Sequence, residues 1–339
     1  MKVAGRRWES SILWMALVAI AVFPSGARAQ TCQTSSELDD ATRTAITTAA
    51  QRYFDMAAKG DAASMRQNAI PTLASDFSGV EATIKGEQPD LTGSQATVKN
   101  SFLLDEQGVA ADPHAEFYCG VFGKSGQTAN SAAFYLDNLP PGKYAIVLLD
   151  TASAHGRTAF NEILQQTGTD WKLAGLYVKP TQIAGHDSDW YLTRARDYKT
   201  KGQLHNANLF FLQGISMVSR GMRFMSTQVT DKLYDELQTM EPADFPSNGK
   251  TVDLVAGATT YKLSAVYPWV IGNDLDVVVK YVLPDISNTN QTYQDNISVM
   301  KAMVTKFPEL RDAFPSVDAI AIDPSSRDYS TLLAMKDIK

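Results

Sequence analysis

Histidine, cysteine and clustered positive charge are what this chain has least of. Its four histidines, His114, His155, His186 and His205, are dispersed, and none stands three or four residues from another on a helical stretch. A zinc site needs convergent ligands, so this spacing gives no reason to expect a metal, and nothing else calls for a cofactor. Two cysteines, Cys32 and Cys119, allow one disulfide at most. Basic clusters are missing, which argues against nucleic acid and anionic membrane surfaces as partners. Catalytic signatures are missing too. Gly126-Gln127-Thr128 and Gly214-Ile215-Ser216 do not match the Gly-x-Ser-x-Gly nucleophile elbow. Gly123-Lys124-Ser125 has Tyr118 where a phosphate loop needs its first glycine, so Gly123 to Asn130 reads as a polar hairpin turn.

The N-terminus carries a pattern of its own. Lys2, Arg6 and Arg7 form a basic start, Ile12 to Phe23 an apolar run, and Ala27-Arg28-Ala29 a small-x-small site before Gln30. This is the layout of a secretory signal peptide cleaved after Ala29, and the run is too short to span a bilayer as a retained anchor. Cys32 stands past the cut, not at it, so no lipid anchor is expected. The exported chain, periplasmic or extracellular, then holds 27 basic and 36 acidic residues, a net charge of −9. In an oxidising compartment Cys32 and Cys119 form a disulfide or, since Cys119 lies in an apolar run, Cys119 stays a buried thiol.

Helical spacing of Leu38, Ile46, Ala49, Ala50, Tyr53, Phe54 and Ala57 opens the body of the chain after a tail at 30–37. Lys59-Gly60-Asp61 ends the first helix and caps a second one bearing Met65, Ala69, Ile70 and Leu73. Strands follow at 116–122, 131–136, 143–151, 158–165 and 171–179. Both alternate sets of one strand, Tyr144, Ile146, Leu148 and Ala145, Val147, Leu149, are apolar, so both of its faces are buried. Helices on one face and a sheet curling over its own cavity on the other satisfy this. Tyr53-Phe54-Asp55-Met56, Lys59-Gly60-Asp61 and the closing strand Gly168 to Val178 resemble the nuclear transport factor 2-like family, a cystatin-like α+β cone, over about 38–180. The resemblance implies a cavity that holds small apolar molecules and, in some members, groups for proton transfer. Leu136 to Tyr144, with Pro140-Pro141-Gly142 as its turn, also resembles the hairpin of carboxypeptidase-regulatory-like β-sandwiches. Turn chemistry alone explains that hairpin, and the helical opening favours the cone.

From 188 to 240 the pattern is helical again. Ala195, Tyr198, Gly202, Ala207, Phe211 and Gly214 fall at the offsets of a tetratricopeptide-like hairpin, without a second copy. A single hairpin must lean on a neighbour, so this stretch reads as a bridge. The breaker-rich 241–249 reads as a linker. After it, strands at 251–256, 259–267 and 275–283, a helix over 292–307, a short one to 314 and strands at 317–322 and 329–336 make a second small α+β domain, 250–339. The whole is an α+β protein.

Candidate chemistry is sparse. Asp150 continues the face of Tyr144, Ile146 and Leu148, so it is placed either to enter the cone as a desolvated general base, with His155 assisting, or to end the strand facing water. His114 with Glu116 at strand spacing, and His186 with Asp187 and Asp189 in a loop, are the other polar groupings. Asn290-Gln291-Thr292 and Asn296-Ile297-Ser298 match the glycosylation pattern, which carries weight only in a suitable host. Three readings follow. The first is an exported, non-enzymatic binding protein for a small molecule or an envelope partner. The second is an acid-base enzyme of isomerase or dehydratase type on an apolar substrate. The third is a scaffold that self-associates through the helical hairpin.

Overall fold

The computed structural model describes residues 30–339 apart from His155, Asn248 and Asn273; the signal segment expected at 1–29 lies outside the described residues. The stretch read as a tail contributes strand β1 (Gln30–Thr34). Four helices follow, α1 (Asp40–Ala58), α2 (Ala62–Gln67), α3 (Pro71–Ser75) and α4 (Ser78–Leu91). Asp39 and Asp61 start the first two by accepting from the amides of Thr42 and Ser64, the reason a short acidic side chain stands there. Ile46, Ala50, Tyr53, Phe54 and Ala57 form the buried stripe of α1.

The strands β2 (Gln95–Glu106), β3 (Asp112–Gly120), β4 (Ser131–Leu139), β5 (Gly142–Ala152), β6 (Arg157–Thr167) and β7 (Asp170–Pro180) come next. Five strands make an antiparallel sheet in the order β1-β2-β5-β6-β7. Its first face lies under the opening helices, with Leu103, Ala145, Val147, Leu149, Phe160 and Trp171 packed against α1 and its neighbours. Its second face carries Phe102, Tyr144, Ile146 and Leu148, which meet Phe117 and Phe134 of the β3–β4 hairpin. Both faces of β5 are therefore buried, as its double apolar alternation requires. The second face is not hollow: aromatic side chains of β3 and β4 fill the space that a curling sheet was expected to leave open. Cys32 and Cys119 are disulfide-bonded, Cα atoms 5.0 Å apart, and join β1 to β3. Closing so long a loop restricts the unfolded chain by roughly 4 to 5 kcal/mol in the chain-entropy treatment.

The bridge comprises α5 (Ser188–Thr200), α6 (Leu204–Val218), strand β8 (Met225–Thr227) and α7 (Gln228–Gln238). β8 joins β3 and β4 in a small three-stranded sheet, so the bridge is stitched to the first domain. Gly214 lets α5 and α6 close: a Cβ there would stand 2.7 Å from Leu192 Cγ.

The last unit holds β9 (Val252–Ala256), β10 (Thr259–Ile271), β11 (Asp274–Val282), α8 (Thr289–Lys306), a short helical turn at Pro308–Asp312, β12 (Ser316–Ile322) and β13 (Asp328–Ala334). Its sheet runs β13-β12-β11-β10-β9, and β11 and β12 are parallel because α8 carries the chain across between them. Bridge and C-terminal sheet share one core, in which Tyr191, Phe211 and Ile215 join Tyr261, Val279 and Met300. The stretch read as a linker is pinned to it: Phe245 is buried there, and His205 spans Asp244 at 2.9 Å and Glu309 at 2.5 Å. The apolar surface of the hairpin thus closes on its own chain.

Candidate functional site

Arg220 follows the end of α6 in a left-handed conformation, φ 56°, which a non-glycine residue adopts at a cost of about 1 to 3 kcal/mol. The turn aims its side chain back onto the five-stranded sheet. Nη1 donates to Asp150 Oδ1 at 2.6 Å, Nη2 to the Leu149 carbonyl at 2.6 Å and Nε to Asn161 Oδ1 at 2.7 Å. Asn161 answers by donating Nδ2 to the carbonyls of Arg220 and Tyr177. Asp150 also lies 3.6 Å from Lys99 Nζ. These bonds offset the strained turn and lock the bridge to β5 and β6.

A groove of about 590 Å³ opens beside this lock, between the end of the sheet and the start of α5. Asp150, Arg157, Thr181, His186, Trp190 and Arg220 are among its lining residues. The tight turn Ile183–His186 has positive φ at both central residues, Ala184 and Gly185, and delivers His186 to the rim. Asp187 then caps α5 through the Trp190 amide, which sets Trp190 one turn on. The imidazole of His186 stacks on its indole, centroids 3.7 Å apart and planes 8° from parallel. Behind the stack, burial pushes the Tyr191 phenol up to about 12, and it donates to the Ile183 carbonyl. The groove offers guanidinium groups, carboxylates and a flat aromatic wall, the parts that fix the charge and ring plane of a small polar ligand.

Of the residues singled out in the sequence, Asp150 and His186 meet here, with Asp187 beside them. Asp150 does continue the face of Tyr144, Ile146 and Leu148. There it meets a guanidinium instead of an apolar cavity, so its carboxylate is held in an ion pair and not kept desolvated for proton abstraction. His155 lies outside the described residues. His114 pairs with Asp137 at 2.9 Å on the exposed side of the β3–β4 hairpin, away from the groove lining, and Glu116 instead accepts from the Tyr118 phenol. Among the described residues no three His, Cys, Asp or Glu side chains stand close enough to hold a metal ion.

Two residues of consequence escaped the sequence reading. Arg220 carries no periodic signal, being a lone cation in a turn. Glu162 lies mid-strand on the face of β6 that meets the helices, fully buried, and neither carboxyl oxygen has a hydrogen-bond partner. Burial, only partly opposed by the Arg52 charge, holds its pKa well above the ordinary carboxyl value and so favours the protonated form. A polar pair, Asn161-Glu162, between the apolar residues Ala159-Phe160 and Ile163-Leu164 was the one available signal. No family model, curated protein or solved structure matches the chain.

Proposed function

We propose that this is an exported binding protein, non-enzymatic, that holds a small polar ligand in the groove between its first domain and the helical bridge. The observation that carries the reading is the groove itself. A strained arginine turn, an ion pair and a stacked His186–Trp190 wall converge on one opening, while the interior of the first domain is packed. The ligand class that fits is a ring-bearing molecule with an anionic group, its ring against His186 and Trp190 and its charge toward Arg157. Export is supported by the signal-peptide pattern of residues 1–29 and by the Cys32–Cys119 disulfide, a bond that persists in oxidising compartments. Among the described residues no helix is long and apolar enough to cross a membrane. The order of helices before antiparallel strands supports reading 38–180 as a nuclear transport factor 2-like cone, and the close α5–α6 pair supports a tetratricopeptide-like hairpin. Thermal unfolding of residues 30–339 against a panel of uronic acids, monosaccharides and aromatic carboxylates tests the proposal. A stabilising ligand whose effect disappears in Trp190→Ala and Arg157→Ala is the expected result; stabilisation that survives both substitutions places the site elsewhere.

A further inference from the structure

The C-terminal sheet ends in an open edge. β9 pairs with β10 alone and forms one border of the sheet. Ala256 pairs with Thr259 across a two-residue turn whose first position, Gly257, has φ +63°, the requirement of a tight hairpin. Pairing alternates along an antiparallel ladder, so with Ala256 and Leu254 bonded to β10, the amides and carbonyls of Val255 and Asp253 point outward. Such an edge is a template for another strand, and natural sheets usually blunt it. Here Val255 is exposed at 67%.

Beside this edge runs a groove of about 630 Å³, walled on its other side by α8. Ser298, Lys301, Ala302 and Lys306 form that wall, with Asp253, Val255 and Ala256 opposite. The small side chains leave room close to the helix, and from Ile297 to Lys306 the helix bears two lysines and no acidic residue. Asp253, the one carboxylate among these lining residues, is already paired with Lys262 at 3.1 Å. The groove is therefore a cationic rim along an unfilled strand position.

We infer that this groove binds an extended peptide segment of another protein, which adds as a strand to β9 and directs carboxylate side chains to Lys301 and Lys306. Main-chain bonds to Val255 and Asp253 give the affinity, and the lysines give the preference for acidic sequence. A second copy of this chain is the poorer occupant, because pairing β9 with its own copy brings two lysine rims together. The site is separate from the junction groove and does not depend on what that groove binds.

Selection of displayed random heptapeptides on residues 30–339, followed by titration of the selected synthetic peptides, tests the inference. The expected peptides carry Asp or Glu at alternate positions. Lys301→Glu with Lys306→Glu, both on the helix surface, is expected to weaken them at least tenfold and to favour lysine counterparts. Val255→Pro removes an outward amide without breaking the ladder to β10 and is expected to weaken them by a similar factor. Peptides without acidic preference, or peptides that bind both variants as well as the parent, would overturn the inference. So would a dimer of the unliganded chain that Val255→Pro dissociates, since the edge would then serve a second copy.

Discussion

Arg220 donates to Asp150 across 2.6 Å, and through this one ion pair the turn after α6 is fixed to strand β5. The guanidinium is largely buried and makes two further bonds to the sheet. Arg220→Ala leaves Asn161 and the Leu149 carbonyl without their donors, at an expected cost of about 2 to 4 kcal/mol. Arg220→Lys recovers little, because an ammonium cannot serve three acceptors in a plane. A double-mutant cycle with Asp150→Asn, read by denaturant unfolding, checks this; additivity would show that the two side chains are not coupled.

The disulfide makes a second prediction. Cys32→Ser with Cys119→Ser frees β1 from β3 and is expected to lower stability by up to about 4 to 5 kcal/mol, with native-state relaxation reducing the figure. Thiol titration of the denatured, unreduced parent should find no free thiol.

Glu162 makes the third. Its folded pKa is raised by burial, so its contribution to stability is complete below the ordinary carboxyl pKa near 4.5 and is lost as pH rises through the elevated folded value. Above that value the chain must hold a buried charge or unfold. Glu162→Gln removes this dependence, so its unfolding free energy should fall less than the parent's between acid and mildly alkaline pH. Parallel pH profiles for parent and variant would show that Glu162 is not buried in the folded chain.

Gly214 makes the fourth. Gly214→Ala forces a methyl group against Leu192 and should destabilise the α5–α6 pair by about 1 to 3 kcal/mol, despite the higher helix propensity of alanine. An equal or higher melting temperature would mean that the two helices pack less closely.

Much of this fold was legible in the chain. Gly214 and its companions Ala195, Tyr198, Ala207 and Phe211 marked a helix pair because small residues let two helices close and aromatic ones fill the space between them. The C-terminal strands and α8 fell within a few residues of their expected bounds, since Gly257 breaks β9 from β10 and the strand period gives way to a helical one between β11 and α8. β2 was missed because its first half, Gln95 to Asn100, is half-exposed and carries only Ala96 and Val98 as apolar residues. α4 was missed as well: Pro89 stands in its last turn and masks the helix, although Ile84 and Leu91 face the core. The site was legible only in part. Asp150 could be placed on its strand face, but what faces it comes from Arg220, and contacts between distant turns leave no period in the sequence.

The most direct test of a binding role is to recover the ligand. A ring-bearing anion that stabilises residues 30–339 should bind once per chain by calorimetry, lose affinity at least tenfold in Trp190→Ala, and return chemically unchanged by mass spectrometry after long incubation. Conversion of that molecule by the parent, abolished in a folded Asp150→Asn variant, would contradict the binding role and make this groove an active site.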